Sequence, residues 1–456
     1  MQNNQRRKFI KQMGAAASAL IVAPTIIPAS ALGKNGHIAP SDRINLAFIG
    51  AGNQAGNDAR GFLEDERVQI TAICDVNKKS KGYWDGKVAG REYIMKMVDK
   101  AYSKNHGRKY QSTQGYTDFR EVLELKDVDA VEIVTPDHWH AIPVLMAAAA
   151  KKDIYCQKPL ALTVAEGRAM SNAVKKHKVV FQTGSQQRSN EHFRRICELV
   201  RNEKIGKLQS VECHLPGGTP DFGKTGDKTQ TTKVPRGFDY DMWLGPAPEA
   251  PYCPARTHVN FRWIMDYSGG MVTDWGGHHP DIAQWGMDTE YTGPVKIRNA
   301  KAKWAQHPVW NTATEFYFEC EYANGLVLTI SSEPGPGVKF NGSEGSVWAS
   351  RREHDADPKS LLDAQTGEDE THLYRSDNHY RNFIDCVISR KEPIAPCEVA
   401  HRSITLAHLG NIAMRLNQDL DWDPLNERVT NSEEANKMLA RPMRAPWDKI
   451  YQQYVV

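Results

Sequence analysis

The chain has 456 residues, of which 40% are apolar and 25% charged, so it is long enough for two or three globular domains. A mean hydropathy of −0.58 excludes a protein built from many membrane spans. The formal net charge is +3, but four basic and no acidic residues lie within residues 1–31, and the remainder of the chain carries −1.

Residues 1–31 have the layout of an export signal. A basic head from Arg6 to Lys11 is followed by an apolar stretch from Gly14 to Ala23 and by the small residues Ala29-Ser30-Ala31. The apolar stretch is about half of the ~20 residues that span a bilayer, which argues against a stable membrane anchor. The head, Arg6-Arg7-Lys8-Phe9-Ile10-Lys11, resembles a twin-arginine signal. We predict export of the folded protein to the periplasm by the twin-arginine machinery, with an ordinary basic N-terminus as the alternative.

A parallel α/β domain is predicted over residues 41–186. Short apolar stretches alternate there with helical ones, which is typical of a parallel sheet with crossover helices. A capping box at Thr163 predicts a helix that ends near His177. The polar stretch Lys81–Tyr110 is interpreted as a solvated excursion outside any site. The predicted strands are Ile44–Gly50, Val68–Asp75, Val128–Thr135, Ile154–Cys156 and Val179–Thr183.

A second α/β domain is predicted over residues 187–420. Its strands, Leu208–His214, Thr314–Tyr322 and Leu326–Ser332, alternate apolar and polar residues, which indicates a sheet with one covered face. Residues 379–417 return to helical periodicity and are expected to pack across both domains. Residues 421–456 are predicted to be a C-terminal tail. The sequence has no basic stripe that would indicate a nucleic-acid partner.

The loop after the first strand, Gly50-Ala51-Gly52-Asn53-Gln54-Ala55, fits the pattern G-x-G-x-x-A. The first glycine permits a tight turn, the second admits a pyrophosphate, and the small third residue packs the helix on the strand. Asp75 ends the next strand and can accept both ribose hydroxyl hydrogens, which favours NAD over NADP. Lys78 and Lys79 lie close by and keep NADP open as the alternative. We predict a Rossmann domain whose Gly50, Gly52, Asn53, Gln54 and Asp75 contact the cofactor.

Two further strand ends carry candidate site residues. Thr135, Pro136 and His140 follow the third strand, where an open parallel sheet binds its ligand, and are predicted to contact the cofactor. His138 and His140 also suggest a metal pair, but no third ligand has suitable spacing, so no metal site is predicted. Lys158 follows the next strand and could stabilise a substrate alkoxide, with an ordinary surface lysine as the alternative.

Asp274, His278 and Asp281 repeat at helical spacing. On one helix these side chains share a face. A neutral imidazole at His278 can take a hydroxyl proton, and the Asp274 carboxylate can orient that ring and raise its basicity. The same spacing would also suit a metal pair.

Together these motifs resemble the Gfo/Idh/MocA oxidoreductases over residues 41–420. The matching segments are Gly50–Ala55, Asp75, Thr135–His140, Lys158-Pro159 and Asp274–Asp281. The resemblance implies an N-terminal Rossmann domain and a C-terminal α/β domain with a large, open, mainly antiparallel sheet. It further implies that Lys158 contacts both the cofactor and the reacting hydroxyl, that His278 is the acid/base, and that Asp274 supports the pair. Gln157 departs from the family's usual glutamate and is expected to alter the environment of Lys158.

The resemblance implies an NAD-dependent enzyme that acts on a hydroxyl of a sugar or glycoside. Because an exported enzyme has no free nicotinamide pool, NAD is expected to be tightly retained. The alternatives are an NAD-dependent glycosidase that works by transient oxidation and elimination, and a sugar-binding or sensing module without turnover. A homo-oligomer is also expected. The predicted substrate contacts are Arg188, Trp243, Arg262, Trp263, Tyr267 and Asp281, with Trp275 as a further aromatic neighbour.

Overall fold

The computed structural model describes residues 38–106 and 109–456. The predicted signal at residues 1–31 lies outside them. Pro40–Asp42 form a short 3-10 helix that belongs to a separate N-terminal unit, and residues 44–456 form the main unit. Within the described ranges, no helix is both long enough and apolar enough to span a membrane.

The first part of the main unit is a six-stranded parallel sheet in the order β3-β2-β1-β4-β5-β6, the order of a Rossmann fold. β1 and β4 are almost wholly buried because helices cover both faces of the sheet. The strands are β1 (Ile44–Ile49), β2 (Val68–Cys74), β3 (Gln114–Tyr116), β4 (Ala130–Ile133), β5 (Asp153–Cys156) and β6 (Phe181–Thr183). Five of them confirm the predicted strands, whereas β3 is short and polar and was not predicted.

The crossover helices are α1 (Asn53–Leu63), α2 (Arg91–His106), α3 (Phe119–Glu124), α4 (Ala141–Ala149) and α5 (Val164–His177). α5 begins as predicted, because the Thr163 hydroxyl accepts the backbone N–H of Glu166 at 3.2 Å. α2 lies in the stretch that the sequence analysis interpreted as a solvated excursion.

The second part contains a nine-stranded sheet in the order β13-β12-β11-β7-β10-β9-β8-β14-β15. All neighbouring strands are antiparallel except β7 and β10, so the predicted large, mainly antiparallel sheet is confirmed. The strands are β7 (Leu208–His214), β8 (Lys296–Trp304), β9 (Ala313–Glu321), β10 (Val327–Ser331), β11 (Gly337–Gly342), β12 (Ser346–Ala349), β13 (His354–Asp357), β14 (Leu420–Asp423) and β15 (Arg428–Val429).

Helices cover one face of this sheet. The covering helices, which contact its strands, are α6 (Glu191–Arg201), α8 (Met271–Asp274), α9 (His279–Met287) and α11 (Cys397–Leu416). The second part also contains α7 (Tyr240–Leu244), α10 (His379–Ser389), which packs on α1, α12 (Glu433–Met438), which packs on β15 and α11, and α13 (Trp447–Tyr454). Alternate side chains such as Val211, Phe318 and Phe340 are buried beneath the covering helices, and the opposite face carries partly exposed polar residues. α11 packs on both α5 and the second sheet, as predicted for residues 379–417.

Residues 421–456 belong to the folded unit and do not form the predicted C-terminal tail. β14 pairs with β8, Leu420 opposite Ile297, and extends the second sheet. α13 packs on α4 of the Rossmann domain, where the buried Trp447 ring lies 4.6 Å from that of Trp139. The apolar residues of this stretch are widely spaced, so no single short window reveals the burial of Trp422, Val429 and Trp447.

Candidate active site

A cleft of about 590 Å³ lies at the carboxyl ends of the parallel strands. Such a crevice is where open α/β sheets bind their ligands. Eight of the nine predicted cofactor contacts line it: Gly50, Gly52, Asn53, Gln54, Asp75, Thr135, Pro136 and Lys158. The ninth, His140, is buried behind the cleft, where its ring nitrogens bond the backbone oxygens of Pro159 and Thr135.

The glycine-rich loop has the backbone geometry that a dinucleotide requires. Gly50 has φ +108°, and a Cβ atom there would lie 2.6 Å from the carbonyl oxygen of Val134. Only glycine fits that conformation and that approach. α1 begins after Gly52 without a side-chain cap, so its first N–H groups remain available to an anion. The loop therefore fits the pyrophosphate of NAD.

Asp75 stands at the carboxyl end of β2, beside this loop. Its two carboxyl oxygens accept the N–H groups of Ala51 at 2.5 Å and Asn77 at 2.6 Å, and each retains a lone pair for a ribose hydroxyl. Burial raises the pKa of Asp75 to about 6, and the two backbone bonds oppose that shift. Lys78, one of the two lysines, with Lys79, that keep NADP open, pairs with Glu92 at 3.3 Å.

The Lys81–Tyr110 stretch contributes directly to the cleft, so its interpretation as a solvated excursion is wrong. Tyr83, Trp84 and Ile94 line the cleft, and the Tyr83 ring stacks on that of His258 with centroids 4.5 Å apart. Asn77 donates a hydrogen bond to the Tyr83 hydroxyl at 2.9 Å and fixes the ring. The aromatic pair Tyr83-Trp84 between two glycines was the available signal in an otherwise polar stretch.

Lys158 meets Asp274 at the inner end of the cleft. The Lys158 Nζ atom donates to Asp274 Oδ1 at 2.9 Å and to the Asp274 backbone oxygen at 3.1 Å. Arg262 Nε donates to the same Oδ1 atom at 3.3 Å. Burial would raise the pKa of Asp274, but the charges of Lys158 and Arg262 prevail and lower it to about 2. Asp274 is therefore an ionised anchor shared by two cations.

The predicted single helix through Asp274, His278 and Asp281 is wrong. α8 ends at Asp274, and α9 begins at His279, after a turn that contains Gly276 and Gly277. A Cβ at Gly276 would lie 2.7 Å from that of Ala407 on α11, and one at Gly277 would lie 3.2 Å from that of Lys158. The glycines thus allow close packing, and the Asp274 carboxylate bonds to Lys158 and Arg262 rather than to His278.

His278 lies beside the Trp275 ring, with centroids 5.8 Å apart. Burial lowers the pKa of His278 well below its ordinary value, and the charges of Lys158 and Arg351 lower it further. The imidazole is therefore neutral near neutral pH. Its buried Nδ1 atom has no hydrogen-bond partner among the residues that the structure describes.

Asp137 is a titratable group of the cleft that the sequence analysis missed as a site residue. Burial raises its pKa to about 7, and a hydrogen bond from the Ser268 hydroxyl at 2.5 Å and the Arg262 charge oppose the shift. Asp137 lines the cleft within the electrostatic reach of Lys158 and Asp274. The only feature of the sequence that could have indicated a site role for Asp137 was its position two residues after Thr135, in the predicted strand-end motif.

The predicted substrate contacts divide into two groups. Trp243 and Arg262 line the cleft. Trp263 and Tyr267 are fully buried, and Arg188 and Asp281 form a buried ion pair in which each side chain is only 2% exposed. Arg188 Nε bonds Asp281 Oδ2 at 2.6 Å, and Arg188 also bonds Glu290. These four side chains are part of the interior and do not line the cleft.

The amide of Gln157 is turned away from Lys158. Its Nε2 atom donates to Asp58 Oδ2 of α1 at 2.8 Å, while the hydroxyl of Tyr380 on α10 donates to Oδ1 at 2.7 Å. Burial and the Asp58 charge raise the pKa of the neighbouring Glu132 well above its ordinary value. A glutamate at position 157 would add a third buried carboxyl group, which gives a physical reason for the amide.

Comparisons with known proteins agree with this architecture. Residues 44–185 match the family model described as "Oxidoreductase family, NAD-binding Rossmann fold", and residues 194–449 match "Oxidoreductase family, C-terminal alpha/beta domain". An aldose-aldose oxidoreductase structure from Caulobacter crescentus has a TM-score of 0.57 at 18% identity and covers 83% of this chain and 99% of its own, which supports the fold alone.

Curated relatives match parts of the chain. An uncharacterized oxidoreductase of Bacillus subtilis, YrbE, is 36% identical over 250 residues, 55% of each protein. An alpha-N-acetylgalactosaminidase of Shewanella oneidensis is 30% identical over 181 residues, 36% of each protein. The chain therefore spans about half or less of the length of these relatives. With both family models matched in order and the cleft built as described, the chain belongs to the Gfo/Idh/MocA family of NAD-binding oxidoreductases.

Proposed function

We propose that the protein oxidises or reduces a hydroxyl-bearing carbon of a sugar or glycoside with NAD. The observation that carries this proposal is the Lys158 ammonium at the inner end of the cofactor cleft, anchored to Asp274 through two of its three N–H donors. The third donor is left for a substrate hydroxyl. NAD, when bound, supplies the site that accepts or returns the hydride.

The residues of the chain handle the proton of that hydroxyl. Lys158 orients the hydroxyl and stabilises the negative charge that develops on its oxygen. His278 is neutral, and an imidazole without a hydrogen-bond partner can take the proton in oxidation and return it in reduction. Asp274 holds Lys158 in place, and Arg262 adds a second fixed cation.

The site favours NAD over NADP, since Asp75 would repel a 2′-phosphate and Lys78 is already paired. We further propose that the signal at residues 1–31 directs the folded protein to the periplasm, where NAD must be retained between turnovers. The partly exposed polar face of the second sheet is the surface that we propose for a homo-oligomer.

The proposal is tested by adding candidate sugars and glycosides to the purified protein and recording the absorbance band of reduced nicotinamide. Mass spectrometry of the ligand released from the denatured protein tests retention: NAD found without being added supports it. Lys158→Ala and His278→Ala should each abolish most of the absorbance change. Unchanged rates in both variants would overturn the assignment of the site, and sugar binding without hydride transfer in the wild type would indicate a binding module.

A second candidate is an NAD-dependent glycosidase that oxidises a hydroxyl transiently, eliminates the glycosidic bond and returns the hydride. The 30% identity to an alpha-N-acetylgalactosaminidase favours it. Lys158-Pro159, one of the segments that carry the resemblance to the oxidoreductases, argues for the net oxidoreductase. Release of free sugar without net reduction of NAD would establish the glycosidase instead.

A further inference from the structure

Arg351 is an exposed residue of the turn between β12 and β13, and it extends toward the end of the cleft where Lys158 lies without lining the cleft itself. Its guanidinium carbon lies 4.5 Å from the centroid of the Trp275 ring, the ring that contacts His278. The side-chain amide of Asn190 donates to the Arg351 backbone oxygen at 3.2 Å and fixes the turn. An arginine more than 70 residues from Asp274 in sequence is thereby held against the residues proposed to act on the hydroxyl.

Cations outnumber carboxylates at this end of the cleft. Lys158 and Arg262 share one ionised carboxylate, that of Asp274. Arg351 has no ion-pair partner within residues 38–106 and 109–456, and Asp274 is the only carboxylate close enough to influence it. Because His278 is neutral, three cations face one permanently ionised carboxylate. Asp137 adds a second negative charge only as the pH rises through about 7.

Apart from the Trp275 ring, no side chain or backbone group within residues 38–106 and 109–456 pairs with the Arg351 guanidinium, whose N–H edge is open to solvent. A guanidinium that lies on an aromatic ring satisfies its face, whereas its N–H donors still require acceptors in the plane. A fork of parallel N–H donors matches the paired oxygens of a carboxylate or a phosphate. A neutral sugar would leave these donors to water and would not compensate the excess positive charge.

We infer that Arg351 binds an anionic group of the substrate, so that acidic sugars, either uronic acids or sugar phosphates, are the substrate class of this site. The anion lies against the Arg351 edge while the reacting hydroxyl meets Lys158. The statement that acidic sugars react here rests on the proposed function, whereas the binding of an anion by Arg351 does not. Binding and reaction can therefore be tested separately.

Calorimetric titration of the NAD-loaded protein tests the inference without turnover. The probes are glucuronate, galacturonate, glucose 6-phosphate and the neutral sugars glucose and galactose. We expect at least one acid to bind about 10-fold or more tightly than its neutral counterpart, as a charge-assisted pair allows. Arg351→Gln should remove that preference, while Arg352→Gln, at the exposed neighbouring position, should keep it. A preference for the uronates or for the phosphate identifies the source of the anion.

Equal affinity for acids and neutral sugars in the wild type would overturn the inference. So would an equal loss of affinity in Arg351→Gln and Arg352→Gln. The absorbance of reduced nicotinamide in the same samples separates this from the proposed function. If neutral sugars but not acids reduce the bound NAD, the anion site is overturned and the oxidoreductase is supported. If an acid binds preferentially but no probe reduces the NAD, the anion site is supported and the oxidoreductase is overturned.

Discussion

The cofactor half and the substrate half of the cleft are built in different ways. In the cofactor half, the glycine loop, Asp75 and Thr135 each follow directly after a parallel strand, so the local backbone fixes where their side chains lie. In the substrate half, Lys158 also follows a parallel strand, but Arg262 and Asp274 reach it from the second domain only through tertiary packing, and Arg351 contacts Trp275 from a turn of the second sheet. The cofactor half is therefore positioned mainly by local backbone structure, whereas the substrate half is assembled mainly by contacts between segments that are distant in sequence.

The largest expected effect tests whether part of the predicted substrate half is in fact structural. Arg188→Met leaves the buried Asp281 carboxylate without its cation and removes the nearer of the two cations of the partly buried Glu290. Loss of one partner of a buried pair costs about 3–5 kcal/mol of unfolding free energy. Denaturant unfolding measures it. The exposed pair Arg428–Glu433 provides the control, since Arg428→Met should cost about 1 kcal/mol or less. If Arg188→Met is as stable as the wild type but binds substrate more weakly, Arg188 is a substrate contact and not a structural residue.

The next effect separates chemistry from cofactor binding. Lys158→Met removes the donor to the developing charge, and we expect kcat to fall about 10²- to 10³-fold. Lys158 is also a predicted cofactor contact, so affinity for NAD, measured by calorimetry, should fall, but by much less than kcat because the loop and Asp75 are untouched. Lys100→Met, on the exposed side of α2, is the matched control. A loss of NAD affinity as large as the loss of kcat would contradict the division between the two halves.

A smaller effect probes the network behind the cofactor half. Gln157→Glu places a third carboxyl group beside Asp58 and Glu132 and removes a donor to Asp58, which should cost about 1–3 kcal/mol of unfolding free energy. The double variant Asp58→Asn/Gln157→Glu exchanges the donor and the acceptor, and it should recover most of that loss. Equal destabilisation of the single and double variants would show that this hydrogen bond is not the cause.

The smallest effect is a pH dependence that originates in Asp137. Its pKa is raised from 3.8 to about 7 by burial, so between these values the folded protein holds a proton that the unfolded chain has lost. Stability from this group is therefore present at low pH and declines as the pH rises, by about 1 kcal/mol from pH 6 to pH 7. Comparison of the wild type with Asp137→Asn separates the pH dependence that Asp137 causes from the one that Asp75 causes. Parallel stability curves for the two proteins would rule it out.

The sequence predicted the elements that depend on local patterns. The Rossmann strands, the capped helix α5 and eight residues that line the cleft followed from periodicity, turn glycines and strand ends. The helix through Asp274 and His278 failed because the spacing alone could not reveal that Gly276 and Gly277 pack against other elements. Arg351 had no local signal at all, since its role depends on a turn of the second sheet that reaches Trp275.

We propose that the two halves of the cleft together transfer a hydride between a sugar carbon and NAD. Deuterium transfer provides the direct test of this reaction. The NAD-loaded protein is mixed with uronates, sugar phosphates and neutral sugars deuterated at their ring carbons, and the nucleotide is then analysed by mass spectrometry. We expect the nucleotide to gain one deuterium in the wild type with at least one substrate and none in Lys158→Met. A wild-type protein that binds both NAD and sugar but never transfers deuterium would contradict it.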